Sequence, residues 1–185
     1  MHSIGNDIVD LHLAKTQSNW QRKGFLQKQF TEEEQTVILT SKDPFLQVWL
    51  FWSMKEAAYK CYTQKYQKRF FAPQKFLCKN LSNSEGIVTI GSEVYVVTYS
   101  ITADYIHSIA QKHISEKMVS KIIFTKNGLS STKMIAQSVL SHFSAEVSLK
   151  KNKIGIPYLY QQQHKMPNSI TISHHGNYGA YAIIG

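Results

Sequence analysis

Asp43-Pro44-Phe45-Leu46-Gln47-Val48-Trp49-Leu50-Phe51-Trp52, running on through Ser53-Met54-Lys55-Glu56-Ala57-Ala58-Tyr59-Lys60, is the stretch on which the reading of the fold turns. Asp43 suits an N-cap, and Pro44 suits the first helical position, where no intrahelical amide bond is lost. The residues that follow are apolar nearly all round, which marks a central, buried helix reaching about residue 66. Upstream, Thr31 followed by Glu34 reads as a capping box opening another helix. Before it come a helix over residues 19–28 and a short strand and turn over residues 3–11, around Gly5-Asn6-Asp7. Downstream, residues 76–79, 87–90 and 94–101 read as strands bounded by Asn, Ser and Gly turns.

From about residue 117 the chain starts over. A strand at 122–125, a turn at Asn127-Gly128 and an amphipathic helix at 131–143 precede strands at 147–151, 156–160, 170–174 and 180–184. Gly86-Ile87-Val88-Thr89-Ile90 is answered by Gly155-Ile156-Pro157-Tyr158-Leu159. Likewise Tyr99-Ser100-Ile101-Thr102-Ala103-Asp104-Tyr105 is answered by Ile172-Ser173-His174-His175-Gly176-Asn177-Tyr178. The expected fold class is α+β, in two pseudo-repeated halves, 1–116 and 117–185, each a helix packed on antiparallel sheet, with a cleft between them.

The 185 residues carry a formal net charge of +9 with 43% hydrophobic content, which excludes wholesale disorder. No apolar run is long enough for a membrane span, and the N-terminus lacks a secretory pattern, so a soluble, cytoplasmic protein is expected. Two cysteines, Cys61 and Cys78, exclude a disulfide scaffold and read as core thiols. Only Arg22 and Arg69 are arginines; the remaining cations are lysines. A nucleic-acid reader would favour arginine forks, whereas lysine charges also suit a phosphate-bearing small molecule or an acidic protein.

Two carboxylates stand out among the few acids. Asp7 lies by a strand-turn, where it can point toward a ligand. Glu56 sits in the most apolar helix, where a carboxylate is costly unless paired or bound to a cation. Lys60 is four residues on, so Glu56–Lys60 reads as an i,i+4 pair. A helix salt bridge and a turn cap would explain these residues without function; a Mg²⁺ site, which takes two carboxylates plus substrate oxygens and water, is the other account. Ser173-His174-His175-Gly176 ends an apolar strand. Neighbouring strand residues point to opposite faces, so the two histidines share a zinc ion only if the backbone turns there. No phosphate loop, dinucleotide fingerprint, nucleophile elbow or zinc-protease helix occurs.

Ile4-Gly5-Asn6-Asp7-Ile8-Val9-Asp10-Leu11 resembles the G-x-D signature of the 4′-phosphopantetheinyl transferases. Trp52-Ser53-Met54-Lys55-Glu56-Ala57-Ala58-Tyr59-Lys60 resembles their W-[SCT]-x-K-E-[AS]-x-x-K helix, and Phe30-Thr31-x-x-Glu34 their F-[TS]-x-x-E element. Gly155-Ile156-Pro157-Tyr158 and Ile172-Ser173-His174-His175-Gly176 are similar to G-K-P-Y and S-[IL]-S-H-[ST]. The order G-x-D, K-E, Ser-His is that of the short holo-acyl-carrier-protein synthases. The length falls between the short and the surfactin-type classes, and the second half resembles the first half of a surfactin-type enzyme moved to the C-terminus. This implies a monomeric pseudo-dimer with its site between the halves; a homo-oligomer with shared sites is the alternative.

The resemblance implies a Mg²⁺-dependent transfer of phosphopantetheine from coenzyme A to a serine of an acidic acyl or peptidyl carrier protein. Asp7 and Glu56 would bind the metal, with Glu56 also taking the serine proton, and Lys60 would hold the pyrophosphate. Ser173 and His174 would contact phosphates at the nucleotide end, Gly155 and Pro157 would border adenine, and Lys126 and Lys133 would lie near the 3′-phosphate. The chain departs from the pattern at Val9, where surfactin-type members carry a further acid. It departs again at Ile156, in place of the motif lysine, and at Leu13, where short-type members often place arginine. Two rival readings are a catalytically idle relative that binds coenzyme A or a carrier protein, and a basic nucleic-acid-binding module; the intact Asp7/Glu56/Lys60 set and the scarcity of arginine count against them.

Overall fold

The computed structural model describes residues 3–70, 72–114, 117–125 and 131–185. The chain opens on strand β1 (Ile4–Asp10) and helices α1 (Leu11–Gln17), α2 (Phe25–Gln29), α3 (Glu32–Thr40) and α4 (Pro44–Tyr66). Beyond a 3₁₀ turn at Pro73–Lys75 come β2 (Leu77–Asn80), β3 (Glu85–Ile90), β4 (Glu93–Ile101) and β5 (Tyr105–Gln111). The remainder is β6 (Met118–Phe124), α5 (Ser131–Leu140), β7 (Val147–Lys151), β8 (Pro157–Gln161), β9 (His164–Lys165), β10 (Ser169–His175) and β11 (Tyr178–Ile184).

The helix starts use the predicted chemistry. Thr31 and Glu34 form the capping box of α3, and the Asp43 carboxylate accepts the Leu46 amide at the start of α4. Helix α4 buries Val48, Phe51, Met54 and Ala58 in a core shared with Val88, Tyr95 and Val97 of a five-stranded antiparallel sheet ordered β1-β5-β4-β3-β2. A second core joins Ile135 and Val139 of α5 to Leu159, Ile170 and Tyr181, beneath two three-stranded sheets, β10-β11-β6 and β7-β8-β9. A third, small cluster of Ile4, Ile109, Ala182 and Ile184 lies where the sheets meet. In both parts a hairpin returns against the opening strand: β4-β5 against β1, and β10-β11 against β6.

Several expected elements differ. Gly5-Asn6-Asp7 is not a turn; it is the middle of β1, paired throughout with β5. Gly5 is needed for close approach, because a Cβ there would run into the Ala57 carbonyl and lie 2.6 Å from the Cys61 nitrogen of α4. The helix expected over 19–28 contracts to α2, since Gly24, at φ 83°, begins it in a conformation that ends any helix before it. Helix α1, capped by Asp10, and strands β5 and β9 were not anticipated. The turn at Asn127-Gly128 lies outside the described residues. Among the described residues no helix is long and apolar enough to cross a membrane.

Candidate active site

The alternation of β1 sorts its polar residues into two environments. Gly5, Asp7 and Val9 share one face, Asn6, Ile8 and Asp10 the other. Because Gly5 lets α4 approach, Asp7, two residues on, meets the same helix one to two turns away. Lys60 Nζ donates to Asp7 Oδ1 at 2.9 Å and to the Asn6 carbonyl at 2.8 Å. The i,i+4 pairing expected for Lys60 with Glu56 is therefore replaced by a long-range pair with Asp7. Glu56 makes no ion pair within 4.0 Å among the described residues.

Burial and charge make this a tense pair of carboxylates. Burial pushes the Glu56 carboxyl up to about 7, with the nearby Asp7 charge adding to the rise and Lys60 opposing it. Asp7 is also raised, because burial outweighs the Lys60 ammonium. Two carboxylates close enough to feel each other's charge, with the Lys60 ammonium beside them, supply hard-oxygen donors that fit a divalent cation. No cluster of three or more His, Cys, Asp or Glu side chains accompanies them among the described residues, so substrate and water oxygens would complete such a site.

The other face of β1 builds a seam with β10. The Asn6 amide donates to Thr171 Oγ1 at 3.1 Å and its side chain to Ser173 Oγ at 2.9 Å. Gln64 of α4 accepts the Ile4 amide and donates to the Ile170 carbonyl, each within 3 Å. At the far end, the Asp10 amide donates to His175 Nδ1 at 2.9 Å, while Asp10 Oδ2 accepts the Asn177 amide at 3.0 Å. Two strands that share no backbone ladder are thus joined by side chains. Their relative placement lays the Ser-His segment along β1 from Asn6 to Asp10, past Asp7.

Beside Lys60 and Glu56 lies a cleft of about 350 Å³, walled by Tyr59, Thr63 and Gln64 of α4, by residues 154–157 and by residues 170–172 of β10. Gly155 sits in it at φ 84°, a conformation that glycine adopts freely, held in a tight turn by Asn152.

The expected site residues fare as follows. Asp7, Glu56 and Lys60 come together, and Gly155 and Pro157 line the same cleft as Glu56 and Lys60. Ser173 is buried with its hydroxyl bonded to Asn6, and His174 is exposed on the opposite face of β10. It is His175 that turns inward and feels both Asp7 and Asp10; burial lowers its pKa. Lys133 is exposed on α5 and does not line the cleft; Lys126 lies outside the described residues. Asn6, Asp10 and His175, which join the halves, were missed, as were Arg69 and Lys151, which line the cleft. Asn6 and Asp10 could have been found from period-two alternation through β1.

Two motif residues are structural. Lys55 is only 2% exposed; its Nζ pairs with Glu34 Oε2 at 2.7 Å and donates to the Pro73 and Phe76 carbonyls. Glu34 Oε1 in turn accepts the Cys78 amide. This buried ion pair locks α3, α4 and β2 together.

A family model described as the 4′-phosphopantetheinyl transferase superfamily matches residues 3–110. No curated protein matches the chain by sequence. Solved structures align with it, two of them as follows. One, described as the apo-ACPS structure of Chronobacterium ammoiniagenes, is 17% identical, with a TM-score of 0.49 over 60% of this chain and 95% of that one. The other, the holo-[acyl-carrier-protein] synthase (AcpS) of Thermotoga maritima, is 12% identical, with a TM-score of 0.47 over 89% of this chain and 86% of that one.

Proposed function

The chain belongs to the 4′-phosphopantetheinyl transferase superfamily, and from that premise we propose that it transfers the phosphopantetheine arm of coenzyme A to a serine of an acidic acyl or peptidyl carrier protein. The observation that carries the reading is the meeting of Asp7, Glu56 and Lys60, drawn from a strand and a helix far apart in sequence, beside the cleft. In this reading the serine Oγ bonds to the β-phosphorus, the bond to the bridging oxygen breaks, and 3′,5′-ADP departs. Glu56, whose raised pKa suits a base near neutral pH, takes the serine proton. Lys60 offsets the charge that develops on the α-phosphate of the departing 3′,5′-ADP, and Asp7 holds Lys60 in position.

Asp7 and Glu56 would hold Mg²⁺. When bound, the ion neutralises pyrophosphate charge and favours attack at phosphorus. His174 contacts the nucleotide phosphates from the exposed face of β10, and Ser173 acts through Asn6. Gly155 and Pro157 border the adenine. The two halves, divided near residue 116, form a monomeric pseudo-dimer. The net charge of +9 steers an acidic carrier toward the surface.

Intact mass spectrometry of apo carrier proteins incubated with the protein, coenzyme A and Mg²⁺ tests this. A gain of about 340 Da, the mass of the arm, is expected on at least one carrier and is expected to vanish with EDTA. A panel that gains no mass contradicts it.

A further inference from the structure

The residue between Gly5 and Asp7 is the one that the G-x-D signature leaves open, so the resemblance gives it no role. Here it is Asn6, wholly buried on the edge of β1 that β5 leaves free. Among the described residues β10 lies along that edge without a backbone ladder, and side chains make the connection. The Asn6 amide donates to Thr171 Oγ1 at 3.1 Å, and Thr171 Oγ1 donates in turn to Asn6 Oδ1 at 3.0 Å. Asn6 Nδ2 donates to Ser173 Oγ at 2.9 Å and lies 3.3 Å from His107 Nε2.

The carboxamide is thus engaged at its oxygen and at both of its N–H groups, by β10 on one side and β5 on the other. His107 accepts at Nε2 only while neutral, with its proton on Nδ1. Burial, with the Lys60 charge adding to it, pushes its pKa down to about 4, so it remains an acceptor at neutral pH. A buried polar cluster whose members are all bonded is rigid, and each lost partner leaves a costly unsatisfied group. What this cluster holds rigid is a main-chain carbonyl. The Asn6 carbonyl accepts Lys60 Nζ at 2.8 Å, beside the 2.9 Å bond from Lys60 to Asp7 Oδ1.

An ammonium has three N–H donors, so two fix Lys60 and the third is left for a substrate. The two acceptors are not equivalent. Asp7 is a carboxylate that the proposed cation would share, whereas the Asn6 carbonyl is neutral and stays with Lys60. We propose that Asn6 is the positioning residue of Lys60: its carboxamide, pinned to Thr171, Ser173 and His107, holds the edge of β1 so that its carbonyl aims the ammonium at the leaving group. This rests on the reading of Lys60 as the group that offsets charge on the departing nucleotide. It also gives the docking of β10 on β1 a catalytic consequence, because loosening the C-terminal half would release the lysine.

Asn6→Ala, Thr171→Val and Thr171→Ser, each alone and combined with Lys60→Ala, test this role in the whole protein. NMR of the metal-free, lysine-labelled protein reads it without catalysis. The Lys60 ammonium, identified by its absence from Lys60→Ala, is expected to give a signal protected from exchange in wild type and Thr171→Ser, and none in Asn6→Ala or Thr171→Val. With coenzyme A, Mg²⁺ and an accepted carrier protein, Asn6→Ala and Thr171→Val should lower kcat about tenfold while KM for coenzyme A moves less than about twofold. Thr171→Ser, which restores the hydroxyl, should recover most of the rate. In the Lys60→Ala background the same changes should cost less than about twofold, because their effect passes through the lysine. A purely structural role would lower the rate by the same factor in both backgrounds. Thr171→Val keeps the shape of threonine, so it decides the matter if Asn6→Ala does not fold. Equal losses in the two backgrounds, an undiminished kcat, or a Lys60 signal that is missing from wild type or unchanged in the variants overturns the positioning role. A wild type that transfers nothing overturns the transferase reading, and the ammonium signal alone then decides the positioning.

Discussion

Lys55 and Lys60 lie five residues apart on one helix and serve different ends. Lys55 is sealed between Glu34 and two carbonyls, so removing it strands a buried carboxylate. Urea unfolding of Lys55→Ala is expected to reveal a loss of about 3–5 kcal/mol. Lys60 is 29% exposed, and Lys60→Ala should cost much less stability while lowering the transfer rate at least about a hundredfold. A third charged group gives a pH signature. Hydrogen bonds from Tyr66 and Lys65 hold the Glu93 carboxyl down to about 2 from an ordinary value of 4.5. A depressed native pKa stabilises the fold above the ordinary value and loses that contribution as pH falls toward the native one. Glu93→Gln should therefore be less stable than wild type at pH 7, with the gap narrowing between about pH 4.5 and 2 in denaturant titrations at stepped pH.

The contact of β1 with α4 is the element-level device that makes the site. Gly5→Ala would push a methyl group into the Ala57 carbonyl, where backbone atoms cannot swing aside as a side chain would. A loss of at least about 1–3 kcal/mol is expected, seen as a lowered melting temperature, together with weakened activity because Asp7 moves with β1. A Gly5→Ala protein as stable and active as wild type would contradict this account of the packing. The sequence reading went astray at this element for a physical reason. A glycine beside Asn and Asp has the same local signature whether it bends the chain or admits a helix, and only the partner element distinguishes the two. Helices α3 and α4 were legible because capping is local: Thr31, Glu34, Asp43 and Pro44 act within one turn. Strand β5 was not, since Tyr105-Ile106-His107-Ser108-Ile109-Ala110-Gln111 is buried along nearly its whole length between β1 and β4, which removes the polar alternation that marks a half-buried strand.

At the scale of the molecule, the two large cores are joined by a small apolar cluster and a polar seam rather than by a continuous sheet. Asn6 reaches Thr171 and Ser173, Gln64 bridges Ile4 and Ile170, and Asp10 holds His175 and Asn177. Motifs at the two ends of the chain meet because of that seam. Glu56 was legible as a candidate from its costly placement in an apolar helix, Lys60 from its spacing to Glu56, and Asp7 from its place beside the expected strand-turn. Their actual pairing was not, because the i,i+4 rule sees only the helix, whereas Asp7 arrives from β1. Nor was the inward turn of His175 in place of His174, which depends on which face of β10 meets β1. The most direct test of the central claim is the rate of 3′,5′-ADP release with coenzyme A, Mg²⁺ and an accepted carrier protein, compared among wild type, Glu56→Gln and Asp7→Asn. Release by wild type and a loss of at least about a hundredfold in both variants, with melting temperatures retained, is the predicted result. Wild-type rates in the two variants would contradict the assignment of transfer to this pair of carboxylates.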